Sequence, residues 1–247
     1  MLRTRVIPSL LLYNGELVKS VNFSSEIYVG DPINAVRIFN EKSVDELCIF
    51  DIGATIENYE IDYFLLQDIA SQANMPLTYG GGVKNINEVM KLVKMGFEKV
   101  CISTSAILNP NLIKEFSKQI GSQSMVICLD VKYSSQSNSG YDIYINRGTK
   151  KTSIDLIQFC KNAVELGVGE IILNSIDKDG TMTGYDLILA SLIRKEVTCP
   201  LTFVGGAGSI NHIQELENKI GIVGAAAGSL FVFKGINKAV LINYSKL

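Results

Sequence analysis

The sequence predicts a single (β/α)8 barrel that spans residues 1–247. Eight short apolar runs alternate with segments of helical periodicity, and no Pro- or Ser-rich linker interrupts the alternation. A third observation is an internal repeat near half the chain length, which predicts a duplicated half-barrel. The half-repeats cover about residues 1–121 and 122–247.

The strands and helices follow from hydrophobic periodicity. The eight apolar runs are 5–12, 46–51, 76–79, 99–103, 124–130, 170–175, 200–204 and 222–227. Segments with apolar residues three and four positions apart, typical of amphipathic helices, are 32–42, 59–73, 86–94, 111–119, 153–166, 185–195 and 210–219. Asp31 and Asn85 precede two of them as N-caps, and Gly96 and Gly167 follow where helices should end.

The internal repeat has an offset of 124 positions. Gly81 aligns with Gly205, and Ser105 aligns with Ser229. The repeats of solenoid proteins run to roughly 20–50 residues, so this longer period indicates a duplicated half-domain.

The composition bounds the function. Of the 247 residues, 47% are hydrophobic and 19% are charged, so the chain can bury a sizeable core. The net charge of −2 gives no broad basic face, which argues against a nucleic-acid partner. No apolar run reaches the roughly 18 residues of a membrane span, and the N-terminal segment turns polar too soon for a signal peptide. We therefore expect a cytoplasmic protein.

Side chains that commonly hold metals are sparse and scattered. The five cysteines form no CxxC pair, and His212 is the single histidine. We expect free thiols, neither a metal nor a cofactor, and acid/base chemistry from carboxylates and lysines.

The polar segment 133–151 differs from the rest of the chain. Ser and Asn cluster in it, and it follows the fifth predicted strand. We expect a long mobile loop, with a small hairpin at 141–146.

Glycine-rich turns end the third and seventh predicted strands, in LTYGGG at 77–82 and LTFVGGAG at 201–208. For either turn alone, a tight strand-to-helix connection without a ligand is the competing interpretation. In this fold class the loops beyond the carboxyl ends of the strands carry function, and bare backbone N–H groups with nearby hydroxyls suit phosphate. The pairing of the turns therefore predicts two phosphate cradles and a substrate with phosphate at both ends. The first cradle is Gly81, Gly82, Ser103 and Thr104, and the second cradle is Asp179, Gly180, Gly205, Gly206, Gly228 and Ser229.

Asp130 is the candidate catalytic residue. It closes the apolar fifth strand and so points toward the barrel mouth, where an acid or base would act. The competing interpretation is a helix cap or a loop anchor.

Charged residues begin four of the strands, at the opposite end of the barrel. They are Arg5, Glu46, Lys99 and Glu170. Their alternating signs predict either a ring of ion pairs that closes the central pore or a solvated rim that only stabilises the barrel floor.

Five stretches in combination resemble the cyclase subunit of imidazole glycerol phosphate synthase over nearly the whole chain. They are RVIPSLLLYNGELVKSVNF, DELCIFDIGAT, LTYGGGVKN, SIDKDGTMTGYD and GGAGSINH. The resemblance implies a bisphosphate site at the top of the barrel, a glutaminase docked at the bottom, and ammonia passing between them. It also implies that Arg5, Glu46, Lys99 and Glu170 form the ammonia gate, and that Lys19 belongs to a mobile first loop.

One departure from the family pattern bears on the chemistry. The family places catalytic aspartates at the ends of strands one and five, and here Leu11 occupies the first position while Asp130 fills the second. Tyr13 and Ser103 also replace a lysine and an asparagine. A leucine transfers no proton, so ring closure that needs both carboxylates should be impaired by about 10²–10⁴-fold.

Three functions remain open at this point. The first is a paralogue that partners a glutaminase and serves the amidination of a bacterial surface sugar, alongside a separate amidotransferase; a branch of the family resembles this description. The second is a true cyclase of histidine biosynthesis in which Asn14 or Glu16 replaces the missing carboxylate. The third is a non-catalytic scaffold that conducts ammonia.

Overall fold

A computed structural model describes residues 3–235 and 237–244 of the chain. Its strands in chain order are β1 (Arg5–Tyr13), β2 (Glu16–Val21), β3 (Ser24–Gly30), β4 (Leu47–Asp51), β5 (Leu77–Gly80), β6 (Lys99–Ile102), β7 (Met125–Tyr133), β8 (Tyr141–Ile145), β9 (Lys150–Asp155), β10 (Glu170–Ser175), β11 (Leu201–Val204), β12 (Gly224–Ala227), β13 (Phe233–Lys234) and β14 (Ala239–Val240). Its helices are α1 (Pro32–Glu41), α2 (Tyr63–Gln72), α3 (Ile86–Lys94), α4 (Thr104–Leu108), α5 (Asn111–Ile120), α6 (Leu156–Glu165), α7 (Leu187–Glu196), α8 (Ile210–Ile220) and α9 (Ser229–Val232).

Eight parallel strands close into a barrel. The order around it is β1, β4, β5, β6, β7, β10, β11 and β12, and β12 pairs in turn with β1. The helices follow the strands and cover the outside, where a continuous apolar core lies between helices and barrel. The (β/α)8 fold class predicted from the sequence is confirmed. No helix in the described part of the chain is long and apolar enough to cross a membrane.

The predicted helices form where cap residues and amphipathic faces agree. Asn85 and Glu88 make a reciprocal capping box at the start of α3. Two helices begin several residues later than the periodicity predicted. Asp62 caps the start of α2, and Asp155 caps the start of α6. The short helices α4 and α9 were not predicted, since one turn of helix leaves no periodic signal.

The prediction of a long loop at 133–151 is wrong. Strand β7 continues to Tyr133 and pairs antiparallel with β8, which pairs antiparallel with β9. The sequence carries the reason, because Tyr141, Ile143 and Ile145 alternate with polar residues and are buried. The segment 141–146 is thus mostly one strand of this sheet and not a separate hairpin.

The first βα connection also contains strands that the sequence did not indicate. Strands β2 and β3 form an antiparallel hairpin on β1. Lys19 therefore lies on β2 and not in a loop, which corrects its expected place.

Every second residue of each barrel strand faces the interior, so the inside is layered. On β10 these residues are Glu170 at the floor, Ile172 in the middle and Asn174 above. The middle layer is apolar, and its buried members fall into two small clusters, Ile7, Cys48 and Ala226 in one and Cys101, Val126 and Ile172 in the other. All five cysteines are free thiols.

Candidate functional site

A large cavity opens at the carboxyl ends of the barrel strands. It encloses about 1390 Å³ of space between protein atoms, including its open mouth. The structure brings the residues of the predicted cradles, the candidate catalytic carboxylate and the lysine of β2 together in its wall. These residues are Lys19, Gly81, Gly82, Ser103, Thr104, Asp130, Asp179, Gly180, Gly205, Gly206, Gly228 and Ser229.

The first cradle depends on close backbone approach. Gly81 and Gly82 have φ angles of 137° and 67°, which side chains rarely allow. A Cβ atom on Gly81 would lie 2.5 Å from the carbonyl oxygen of Asp51. Ser103 and Thr104 face the same part of the cavity, where α4 begins. Backbone amides and two hydroxyls can thus reach one ligand group here.

The second cradle is built in the same way. Gly180 and Gly206 also have positive φ angles, of 66° and 100°, and a Cβ atom on them would clash with the backbone oxygens of Ser20 and Gly184, respectively. A Cβ atom on Gly228 would displace the amino group of Lys19, which lies against this glycine. Ser229 is buried beside them.

Lys19 is a buried cation next to the second cradle. Its Nζ donates a hydrogen bond to the backbone oxygen of Ser9 at 2.7 Å. Burial lowers the pKa of the Lys19 ammonium to about 8, against the opposing effect of the negative charge of Asp179. An ammonium so placed can attract a phosphate group bound at Gly228.

The carboxylate of Asp179 fastens the β2–β3 hairpin to the barrel mouth. Its Oδ2 accepts hydrogen bonds from Ser20 Oγ at 3.0 Å and from the backbone N–H of Phe23 at 3.3 Å. The backbone oxygen of Asp179 accepts a further bond from Asn22. The sequence did not suggest this anchoring role, and phosphate binding by Asp179 stays a prediction.

Asp130 lies on β7 opposite Asn174 of β10. Asn174 Nδ2 donates a hydrogen bond to Asp130 Oδ1 at 3.0 Å. Burial raises the pKa of Asp130 to about 7; the hydrogen bond from Asn174 opposes this shift and the charge of Asp179 adds to it. Near neutral pH the carboxyl can therefore either accept or donate a proton. Sequence reasoning missed Asn174, although its spacing from Glu170 on one strand face could have indicated it.

Leu11 lies in the cavity wall at the end of β1. Asn14 and Glu16, the sequence-based candidates to replace a carboxylate here, are exposed and do not line this cavity. Among the described residues, the carboxylates in the cavity wall besides Asp130 are Asp51 and Asp179.

The carboxylate of Asp51 is already engaged. Its Oδ1 accepts hydrogen bonds from Tyr59 Oη at 2.6 Å and from the backbone N–H groups of Gly53 and Ala54 at 3.0 and 3.1 Å. It shapes the loop after β4, and neither it nor Asp179 occupies the position of Leu11.

The turn between β8 and β9 crosses the mouth of the cavity and is here called the strap (residues 146–149). At one end, the N–H of Asn146 donates to Thr104 Oγ1 at 3.3 Å. At the other end, Arg147 pairs with Glu26 of β3 and lies 5.7 Å from the ring centre of Tyr13. The strap thus joins two antiparallel extensions of the barrel above the cavity.

We expect Glu26→Gln to loosen the strap. Losing one partly buried ion pair should let the turn open more often, so labelling of the cavity thiol Cys128 by a maleimide should become about 2- to 5-fold faster. Peptide-level mass spectrometry measures the rate, and half-buried Cys199, which does not line the cavity, is the internal reference.

The matched control for this experiment is Lys151→Gln. It removes the ion pair between Lys151 and Asp142 on the same extension, just outside the strap. Equal acceleration in both variants, or none in Glu26→Gln, would show that the Glu26–Arg147 pair does not hold the mouth.

The four charged residues at the opposite end form a closed cycle of ion pairs. Arg5 contacts Glu46 and Glu170 at 2.5 Å each. Lys99 contacts the same two carboxylates at 2.9 Å each. Glu46 and Glu170 are 4% and 5% exposed, so this floor ring is not a solvated rim.

Two threonines complete the floor ring. Thr78 Oγ1 donates to Glu46 at 3.0 Å, and the hydroxyl of Thr202 donates to Glu170. Burial opposes ionisation of Glu170, but the charges of Arg5 and Lys99 outweigh it and lower its pKa to about 2. Glu170 therefore stays ionised beneath an apolar interior, and the action of the ring as an ammonia gate stays a prediction.

Comparison with known proteins agrees with this architecture. The histidine biosynthesis protein family matches residues 5–237. A protein of Leptospira interrogans with the provisional name imidazole glycerol phosphate synthase subunit HisF is 48% identical over 99% of this chain and 96% of its own length. A provisionally named hisF3 subunit of Vibrio vulnificus is 51% identical over 99% and 94%. The imidazole glycerol phosphate synthase subunit HisF of Streptococcus mutans is 38% identical over 97% and 94%. The chain therefore belongs to the histidine biosynthesis protein family, and within it to the HisF-like cyclase subunits of imidazole glycerol phosphate synthase.

Proposed function

We propose that this chain is the synthase subunit of a glutamine-dependent complex that supplies nitrogen for amidination of a surface-polysaccharide sugar. One observation carries the proposal: the charged floor is complete, whereas Leu11 stands at the cavity position where ring closure needs a carboxylate. A buried ring of charges is costly to desolvate, so its presence supports the proposal that nitrogen transfer is retained.

In this proposal a glutaminase docks on the floor face and releases ammonia into the barrel. The neutral molecule crosses the apolar middle layer, where an ion would be poorly solvated. It emerges beside Asp130 at the base of the cavity. The floor ring acts as the gate, because its ion pairs must separate or shift to let a molecule enter.

The acceptor in this proposal is a phosphorylated small molecule held by both cradles. Lys19 and the glycine turns suit phosphate groups at its two ends. A separate amidotransferase takes part, and the chemistry takes place in the cytoplasm without a metal or cofactor of this subunit.

The second candidate is a cyclase subunit of histidine biosynthesis. It is favoured by the names of the relatives and by the presence of Asp130 between two cradles. Its weakness is that Asn14 and Glu16 lie outside the cavity, which leaves the position of Leu11 without a substitute.

Gene deletion in the source organism distinguishes the two candidates. We expect the deletion strain to grow without histidine and to lose acetamidino groups, which NMR of the isolated polysaccharide detects. Amide-¹⁵N glutamine fed to the parent strain should label the amidine nitrogen. A histidine requirement with unchanged polysaccharide would instead establish the cyclase function.

Complementation with Asp130→Asn tests the third interpretation, a scaffold that only conducts ammonia. A pure conduit is indifferent to this change, whereas a catalytic carboxyl is not. We expect the variant to assemble with the glutaminase and to restore little or no amidine. Full restoration would identify the chain as a scaffold.

A further inference from the structure

The Asp130–Asn174 pair lies in the cavity wall and has hydrogen-bond acceptors that no donor among the described residues fills. The two residues are directly opposite each other on neighbouring parallel strands, and Asn174 Nδ2 donates to Asp130 Oδ1 at 3.0 Å. That bond fixes the amide, so Asn174 Oδ1 must point elsewhere. Within residues 3–235 and 237–244 this oxygen is buried and has no hydrogen-bond partner.

Asp130 likewise has acceptor capacity left. In the described part of the chain its side chain receives a hydrogen bond from Asn174 alone, which leaves Oδ2 without a protein donor. An ionised carboxylate and an amide oxygen accept but do not donate. The pair therefore suits a ligand group that donates at least twice and repels groups that only accept, such as a phosphate or a carboxylate.

The pair also lies directly above the apolar interior. The inward residues below Asp130 and Asn174 are Cys128 and Ile172, which pair across the same two strands. The next inward pair below these consists of Val126 and Glu170, and Glu170 belongs to the floor ring. A small polar molecule that rises through the barrel meets these acceptors at the top of the two strands.

We propose that Asp130 and Asn174 together bind a nitrogen that carries at least two N–H bonds, and that this nitrogen is the incoming ammonia. One N–H donates to Asn174 Oδ1 and another to the carboxylate of Asp130, which leaves the nitrogen lone pair directed away from both acceptors, toward the cradles. This inference rests on the proposed function for the identity of the ligand, while the binding site follows from the geometry alone.

Binding can be measured on the chain alone. Protein labelled with ¹³C at the aspartate carboxyl carbons is titrated at pH 8 with ammonium chloride, and separately with acetamidinium chloride, which carries N–H groups on one edge. The Asp130 signal is assigned by its loss in Asp130→Asn. We expect a saturable shift with either probe and none with tetramethylammonium chloride, which has the charge but no N–H.

Substitutions at position 174 test the amide. We expect Asn174→Leu, which keeps the size but no polar atom, to bind both probes about 10-fold more weakly. Asn174→Thr retains one acceptor and should give an intermediate affinity, which keeps the test informative should the leucine variant fold poorly. Asn34→Leu, the same change on the exposed surface of α1, should leave binding unchanged.

The outcomes separate this inference from the proposed function. An equal response to tetramethylammonium, no saturable shift, or unchanged affinity in both Asn174 variants would overturn the site. Loss of the polysaccharide amidine on gene deletion together with no probe binding would overturn the site alone. Probe binding with no effect of the deletion on the polysaccharide would overturn the proposed acceptor but not the site.

Discussion

Leu11→Asp is expected to raise ring-closing activity by about 10²–10⁴-fold. The wild-type cavity is lined by the two glycine-rich turns and Asp130 but has an apolar side chain, Leu11, at the end of β1. A carboxyl group at position 11 would supply the second acid/base group in the same cavity. The assay uses purified protein, an ammonium salt and the bisphosphate ribulosyl precursor of the histidine pathway, and it measures imidazole glycerol phosphate.

Leu11→Asn is the matched control for this gain. It has nearly the size and polarity of aspartate but transfers no proton, so it should stay close to the wild-type rate. Equal gains in both variants would mean that hydration of the cavity, and not acid/base chemistry, limits the reaction. A normal enzyme rate in the unmodified chain would contradict the amidination proposal directly.

Glu170→Gln is expected to cost about 3–5 kcal/mol in free energy of unfolding. Glu170 binds Arg5, Lys99 and Thr202 in a buried site, and its neutral replacement leaves both cations with Glu46 alone. Urea unfolding monitored by circular dichroism measures the loss. Glu196→Gln, which removes the surface pair with Lys161, is the control and should change stability by about 1 kcal/mol or less.

The same residue makes stability depend on pH. Its pKa in the folded chain is about 2, below the ordinary value of 4.5, so its ionised form stabilises the fold. This contribution is complete above about pH 4.5 and is lost as the pH falls through about 2, for a total of about 3 kcal/mol. The wild-type chain should lose stability over this range more steeply than Glu170→Gln. Parallel curves for the two proteins would show that the carboxyl titrates normally.

The cradles and the strand ends were predictable because they depend on local patterns. A short apolar run that ends in glycines is recognised without knowledge of a distant partner, so Gly81 and Gly206 could be placed at the mouth from the sequence. The boundaries of the eight barrel strands were predicted to within three residues. The half-barrel duplication stays a prediction from the repeat.

The antiparallel extensions were not predictable by the same means. Segment 133–151 is rich in Ser and Asn, and its strands depend on pairing with β7 and on packing of three alternating side chains. The β2–β3 hairpin likewise depends on Asp179, which is distant in the chain. Such contacts leave little trace in local composition.

The sequence by itself determined the barrel, the ends of its strands, the charged residues of its floor and the absence of a carboxylate at position 11. The tertiary structure alone decided that the floor charges form one buried cycle, that Asn174 bonds to Asp130, and that Arg147 of the strap pairs with Glu26. The physical reason is the range of the interactions: periodicity and turn chemistry act between neighbouring residues, whereas ion pairs and hydrogen bonds between strands depend on closure of the whole barrel.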